Sequence, residues 1–194
     1  MKDTKSKILT SAIHLFSAHG FRSVSMRQIS NDVKISAPAL YNHFKDKKTL
    51  YIAAIEESFK NKSDLLLEAL TGQSKPLDSL EHFVRRLSEI QHDDPEFRHL
   101  IQRELLDGDD DRLRYLAEEL FGSAFQRLMD ILTELKPDGD SHGLAVMIVG
   151  MVQKPFELNP LDSFFPDSQQ QHCQPDYITR QVMAILSAYF GATA

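Results

Sequence analysis

The most informative part of the chain is residues 25–50, which read SMRQISNDVKISAPALYNHFKDKKTL. Two serines in it stand where helices are expected to begin. Ser25 is followed three residues later by Gln28, the pattern of a capping box. Ser36 comes shortly before Pro38, which a first helical turn tolerates. The spacing predicts short helices over about 26–33 and 37–43, with a tight turn between them.

A third helix is predicted just upstream. Residues 5–19 carry Leu9, Ala12 and Phe16 at helical spacing, and Gly20 is a natural stop. Three short helices with a tight turn between the second and third form a helix-turn-helix. In this motif the second helix of the pair enters the major groove of DNA, while the first crosses the backbone.

The charge of the chain is unevenly distributed. Residues 1–50 hold nine basic and three acidic residues, a balance of +6, whereas the other 144 residues carry 13 basic and 25 acidic groups, a balance of −12. The net charge of −6 is therefore the average of a basic head and an acidic body. This asymmetry favours a polyanion-binding head, although chance clustering of surface charge would give the same count.

Composition excludes several classes. At 194 residues with 42% hydrophobic content, the chain is long and apolar enough for a buried core without disulfides. Its single cysteine, Cys173, permits no intramolecular disulfide or cysteine zinc cluster and fits a reducing, cytoplasmic compartment. The longest apolar run, 144–152, is too short to cross a membrane, and no signal peptide is predicted.

The N-terminal pattern resembles the TetR/AcrR family of bacterial transcriptional regulators. The resemblance covers about 45 residues, a quarter of the chain. It is carried by Ile8, Ala12, Phe16, Gly20, Phe21, the run from Ser25 to Ile29, Val33, Ile35, Ser36 and the run from Leu40 to Leu50. Lys34 is a departure, since the family usually has glycine there, and a lysine is disfavoured if that position needs a positive φ.

The resemblance implies DNA contacts at nine positions. These are Arg27, Ser36, Ala37, Pro38, Ala39, Tyr41, Asn42, His43 and Lys47. Arg27 matches a base-reading position, and arginine can pair bidentately with guanine. Tyr41, His43 and Lys47 match phosphate-contacting positions, whereas Ala37 and Ala39 offer only methyl groups to thymine. We therefore expect sparse direct base reading, with DNA shape and phosphate contacts contributing more.

Structural alternatives stay open for several of these residues. Leu40 and Phe44 are expected in the core. Tyr41 could be a packing aromatic, His43 a helix C-terminal cap and Arg27 a solvated surface residue. The lysines Lys45, Lys47 and Lys48 could likewise form an ordinary solvated face.

The rest of the chain also reads as helices, so the predicted fold class is all-α. The predicted domains are a helix-turn-helix DNA-binding domain over 1–48 and a helical effector-binding and dimerisation domain over 49–194. Asp46 is expected to cap a helix from Lys47 to about Leu70. Further helices are predicted over about 77–90, 95–106, 113–135, 141–153 and 176–190, with a proline-rich loop over 154–175.

The segment 141–153 is apolar nearly all round, which favours burial in a subunit interface. Family resemblance implies a homodimer through the helices near 141–153 and 176–190. It also implies a small-molecule effector, for which the candidate residues are His99, Arg103, Phe125 and Met147. Arg103 and Glu104 could instead pair with charges on neighbouring helices. The loop with Phe164 and Phe165 could be a pocket lid or could pack against the partner.

These features predict a ligand-responsive transcriptional regulator, most simply a repressor that binds a palindromic operator as a dimer. The alternative is a DNA-binding scaffold or nucleoid-associated protein without a small-molecule effector. No catalytic motif is recognised, so an enzyme is not expected. The eight histidines are scattered, and neither a metal nor a cofactor is predicted.

Overall fold

The computed structural model describes residues 4–191 and, over that range, contains helices and no strands. The all-α fold class is therefore confirmed. The helices are α1 (Thr4–Ser23), α2 (Met26–Val33), α3 (Ala37–His43), α4 (Lys47–Phe59), α5 (Lys62–Thr71), α6 (Pro76–Asp93), α7 (Pro95–Asp107), α8 (Asp110–Tyr115), α9 (Gly122–Leu135), α10 (Ser141–Asp162) and α11 (Pro175–Phe190). A π-helical turn, Leu116–Leu120, follows α8, and a 3₁₀ turn, Gln170–Cys173, precedes α11.

The helices form two compact units. The first contains the residues up to Lys60 together with Asp94–Leu120, and the second contains Asn61–Asp93 together with the residues from Phe121 onward. The first unit thus joins the N-terminal helices α1–α4 to α7 and α8, which come from the middle of the chain. The second is built around α6, which packs against α5, α9, α10 and α11. The predicted boundary at residue 48, between a DNA-binding domain and an effector-binding domain, stays a prediction.

The three predicted caps are present. The Ser25 hydroxyl accepts from the Gln28 amide, and the Gln28 side chain accepts from the Ser25 amide, which completes a capping box for α2. The Ser36 hydroxyl accepts from the Ala39 amide at the start of α3, and Asp46 accepts from the Thr49 amide at the start of α4. Short polar side chains therefore set the three helix starts of the N-terminal region.

Two predicted long helices are broken, and the expectation of continuous helices there was wrong. The first divides at Lys60–Asn61, where Asn61 has φ 68°. The second divides at the π-helical turn after α8. In both cases the apolar row is shared between units: Leu116 is buried in the first unit, for example, and Leu128 in the second. A single straight helix cannot serve two cores, and helical periodicity alone does not reveal this.

The predicted loop over 154–175 was also wrong in its first part, because α10 continues through Pro155 and Pro160 to Asp162. Proline removes one intrahelical hydrogen bond and normally disfavours a helix interior. Here the buried row of Ala145, Ile148, Val152 and Phe156 continues past the first proline, so packing keeps the segment helical. The N-terminal end of α11 lies within a residue of its prediction.

The core of the first unit surrounds α1, which packs against α2, α4 and α7. The expected core residues Leu40 and Phe44 are buried there. The rings of Phe16, Phe21 and Tyr51 meet at centroid distances of 4.8 and 4.9 Å, between α1 and α4. This aromatic cluster supports the region from which the helix-turn-helix extends.

Candidate DNA-binding interface

The turn between α2 and α3 has the geometry of a helix-turn-helix. Lys34 ends α2 in the left-handed conformation, with φ 60° and ψ 44°. Its amide donates to the carbonyl of Asn31 (3.1 Å), and the amide of Ile35 donates to that of Ser30 (2.9 Å). The suspected positive φ at this position is therefore confirmed. Lysine stands where glycine would be unstrained, and the chain keeps a positive charge at the turn instead.

The front of α3 is open to solvent. Ser36, Pro38, Asn42 and His43 are exposed, Ala37 and Ala39 are half-buried, and Tyr41 is 50% exposed. The Tyr41 hydroxyl has no hydrogen-bond partner within residues 4–191. On α2, the predicted base-reading Arg27 is also exposed. Eight of the nine predicted positions therefore lie on or beside the exposed face of the α2–α3 pair, although their contacts with DNA stay predictions.

Cations of the N-terminal helices differ in whether an acidic side chain lies beside them. Arg22 pairs with Asp107 at the end of α7 at 3.7 Å, and Lys48 pairs with Asp111 in α8 at 3.5 Å. A second group, Arg27, Lys34 and Lys45, has no acidic partner in the part of the chain that the structure describes. This second group belongs to α2, to the turn and to the residue that follows Phe44. Positive charge without an acidic partner is thus present on the helix-turn-helix, as it also is at Lys5 and Lys7 on α1, and it favours a polyanion there.

Lys47 differs from the other eight predicted positions. Its ammonium group donates to the carbonyl oxygens of Phe21 (2.8 Å), Val24 (3.0 Å) and Arg22 (3.4 Å). It also lies 4.4 Å from the centre of the Phe21 ring. The side chain is directed to the C-terminal end of α1 and is half-buried.

Glu104 and Arg112 form a buried ion pair in the first unit. From the sequence, a charge partner for Glu104 was only one of two open alternatives. Glu104 on α7 is 0% exposed and Arg112 on α8 is 6% exposed. Arg112 Nε donates to Glu104 Oε1 at 2.7 Å, and the Tyr51 hydroxyl donates to Glu104 Oε2 at 2.6 Å. Burial, together with this hydrogen bond to Glu104, raises the pKa of Tyr51 well above its ordinary value.

Arg103, the neighbour of Glu104, is directed to α1. Its Nε donates to the carbonyl of Ser17 (2.6 Å) and one terminal nitrogen donates to that of Ala18 (2.5 Å). The alternative of pairing with a charge on a neighbouring helix is thus realised for Glu104, whereas Arg103 binds backbone carbonyls of α1 instead of a charged side chain. No signal in the sequence identifies Tyr51, Ser17 and Ala18 as partners, because they lie 53, 86 and 85 residues away along the chain.

The four candidate effector residues are divided between the units. His99 and Arg103 line a surface pocket of about 530 Å³ on the first unit, together with Ser17, Ala18, Gln102 and Leu106. Partial burial and the positive charges of Arg98 and Arg103 lower the pKa of His99. Phe125 and Met147 belong to the second unit, where Phe125 packs on His142 and Met147 is 66% exposed. A joint role for the four in a ligand site stays a prediction.

Two adjacent helices of the second unit expose apolar side chains. On α10 these are Val146, Met147, Leu158 and Leu161, and on α11 they are Ile185 and Tyr189. Ile185 is 56% exposed, although its neighbours Val182 and Leu186 are buried. Residues 141–153 are thus apolar nearly all round, but only one face of this segment is buried. Isolated exposed leucines need no explanation, but several on two packed helices form an apolar surface.

The fold and the exposed α2–α3 pair define a helix-turn-helix protein with a second, all-helical unit. Residues 8–54 match the model of the bacterial regulatory proteins of the tetR family. The chain therefore carries a TetR-family domain at its N-terminus, and the resemblance inferred from the sequence is confirmed. Within residues 4–191, no helix could cross a membrane and no group of three or more His, Cys, Asp or Glu could hold a metal ion.

A curated relative is the negative transcriptional regulator IcaR of the biofilm operon icaADBC from Staphylococcus aureus. It is 29% identical over 80 residues, which is 41% of this chain and 43% of IcaR. The IcaR of Staphylococcus epidermidis is 36% identical over 63 residues, which is 32% of this chain and 34% of that protein. The chain thus aligns with less than half the length of these relatives.

Solved structures extend the likeness to the whole fold. A tetR-family regulatory protein from Rhodococcus RHA1 has a TM-score of 0.79 at 18% identity, covering 100% of both chains. AibR, solved in complex with isovaleryl coenzyme A and operator DNA, has a TM-score of 0.76 at 16% identity, covering 94% of this chain and 97% of its own. At these identities the likeness concerns the fold alone.

Proposed function

We propose that this protein is a DNA-binding transcriptional regulator that uses α2 and α3 to bind an operator. The observation that carries the proposal is the exposed front of α3, flanked by Arg27, Lys34 and Lys45 without acidic partners. Phosphate contacts supply most of the affinity for DNA, and free cations at a groove-reading helix fit that need. The predicted contacts are those of Arg27 with a base edge and of Ser36, Ala37, Pro38, Ala39, Tyr41, Asn42 and His43 along α3.

The operator is proposed to be palindromic and the protein a homodimer. Support comes from the apolar surface of α10 and α11, which the second unit leaves uncovered. When two copies meet across a two-fold axis, the same surface of each copy forms the interface, which is therefore self-complementary. It would repeat the recognition helix about 34 Å away, or at a multiple of that distance, so that the two half-sites mirror each other.

Repression and release by a small molecule complete the proposal. The curated relatives are named as negative regulators, and the structural neighbour AibR was solved with an acyl coenzyme A and operator DNA. A small molecule that favours a conformation with wrongly spaced heads would lower operator affinity through population shift. The open pocket at His99 and Arg103 is one candidate position for it.

Selection of bound fragments from genomic DNA, followed by mapping, tests this proposal. A regulator is expected to recover one or a few short palindromes, and some metabolite of the neighbouring genes' pathway should release it. A DNA-binding scaffold would occupy many dispersed sites and ignore metabolites, which would contradict the effector part. Failure to recover any fragment would contradict DNA binding altogether.

A further inference from the structure

The C-terminal end of α1 leaves several backbone carbonyls in need of donors. The last four carbonyls of any helix have no intrahelical partner and carry the negative end of the helix dipole. Gly20, with φ 78° and ψ 165°, interrupts α1 before its last residues, so this region presents more than one set of such groups. Arg103 donates to two of them, the carbonyls of Ser17 and Ala18.

Lys47 serves the carbonyls that follow the interruption. An ammonium group has three N–H donors and no acceptor. The three acceptors at Phe21, Arg22 and Val24 lie at 2.8, 3.4 and 3.0 Å, so they match the three donors. The Phe21 ring, 4.4 Å from the nitrogen, adds a cation–π contact to the same charge.

We infer that Lys47 is a positioning residue that fixes the start of α4 on the end of α1, and not a phosphate contact. The inference rests on the proposed DNA-binding function. To reach a phosphate, the ammonium group would have to leave the part-buried carbonyls of Phe21 and Val24 without a donor, which is costly. Free lysines nearby, such as Lys45, can bind phosphate without that loss.

The position of the Lys47 contact indicates that it would control the orientation of α2 and α3. Val24 directly precedes Ser25, the N-cap of α2, and Lys47 directly follows Asp46, the N-cap of α4. One ammonium group therefore joins the segment that enters α2 to the segment that leaves α3. Its removal is expected to loosen the orientation of the α2–α3 pair while leaving every other cation in place.

The dependence of DNA binding on salt distinguishes the two roles. For B-DNA, each lost phosphate contact makes the slope of log K against log [salt] less negative by about 0.9. The test compares the wild-type chain, Lys47→Met and the matched control Lys45→Met on one operator fragment. A homodimer loses two such contacts per operator, so we expect Lys45→Met to reduce the slope by about 1.8 with an unchanged melting temperature.

For Lys47→Met we expect an unchanged slope, a melting temperature lower by about 3–6 °C and affinity about tenfold lower at every salt concentration. A slope reduced by about 1.8, which is one contact per subunit, without a change in melting temperature would overturn the inference. If the wild-type chain bound no DNA, the proposed function would fail and the positioning role with it, whereas a changed slope for Lys47→Met alone would contradict only the role.

A second measurement uses the wild-type chain, so its result does not depend on whether a variant folds. Lysine ammonium protons give resolved NMR signals when hydrogen bonds slow their exchange with water. In the wild-type chain we expect a slowly exchanging signal from Lys47 before DNA is added, unchanged after it. A Lys47 signal that sharpens only with DNA and couples to DNA phosphorus would overturn the inference.

Discussion

Arg112 and Glu104 form a buried ion pair, with Nε and Oε1 2.7 Å apart and side-chain exposures of 6% and 0%. The guanidinium also lies 4.6 Å from the centre of the Phe21 ring, on the end of α1. One pair thus connects α7 and α8 to the helix that carries the DNA-binding region. Removal of one partner would leave a buried charge without compensation.

The variant Arg112→Met is therefore expected to lower the free energy of unfolding by about 3–5 kcal/mol, measured by urea denaturation. Arg114→Met is the matched control, because Arg114 pairs with Glu118 at 3.5 Å on the surface. The control should change stability by less than about 1 kcal/mol. Equal losses in the free energy of unfolding for the two variants would show that the buried ion pair contributes no more to stability than the surface pair.

Lys34→Gly should separate stability from DNA binding. Glycine accommodates the positive φ of 60°, so the free energy of unfolding is expected to rise by about 0.5–1 kcal/mol. The same change removes one free cation from each subunit of the proposed dimer, so DNA affinity should fall and the salt slope should become less negative by up to about 1.8. Lys34→Ala loses the same charge without the backbone relief, and should match the glycine variant in slope but not in stability.

The cap of α4 gives a pH prediction. Hydrogen bonds from the backbone amide and hydroxyl of Thr49 hold the pKa of Asp46 below its ordinary value of 3.8. A carboxylate whose pKa is lower in the folded state than in the unfolded state stabilises the protein at pH values above the unfolded-state pKa. This stabilisation is lost as the pH falls through the folded-state pKa. At pH 7, Asp46→Ala should melt at a lower temperature than the wild type. The difference should shrink below about pH 4, and a pH-independent difference would contradict the capping role.

Base reading is expected to be sparse. Arg27→Ala should lower affinity for the operator by about 1–3 kcal/mol and relax preference at one position per half-site, if Arg27 pairs with guanine. Tyr41→Phe should weaken binding equally for all sequences, because its hydroxyl is proposed to meet phosphate. Scrambling the operator bases other than those read by Arg27, at fixed salt, should lower affinity less than about tenfold, and a loss of several thousandfold would contradict this view.

A charge on the apolar surface of α10 and α11 should dissociate the proposed homodimer. Sedimentation at micromolar concentration is expected to show a dimer for the wild type and a monomer for Met147→Lys combined with Ile185→Glu. Leu105→Glu is the control, since Leu105 is also an exposed apolar residue but lies on α7. A wild-type monomer would contradict the homodimer, and a dimer that survives both charges would place its interface elsewhere.

Local signals predicted the DNA-binding region well. Ser25, Ser36 and Asp46 begin their helices through contacts within three residues, which a sequence displays directly. Contacts between distant residues were not predictable in this way. Lys47 has the residue type of a phosphate contact, and only the fold shows its ammonium group on the carbonyls of α1. Likewise, packing of Val152 and Phe156 keeps α10 helical where the prolines indicated a loop.

Binding of α2 and α3 to a two-fold symmetric operator is the main expectation for this protein. Selection from a random DNA library, with the wild-type chain and with Arg27→Ala combined with Tyr41→Phe, tests it most directly. We expect an enriched palindrome whose half-sites lie one or two helical turns apart, and with the double variant a weaker enrichment that lacks the preference at one position per half-site. Enrichment without two-fold symmetry, or equal enrichment by the double variant, would contradict it.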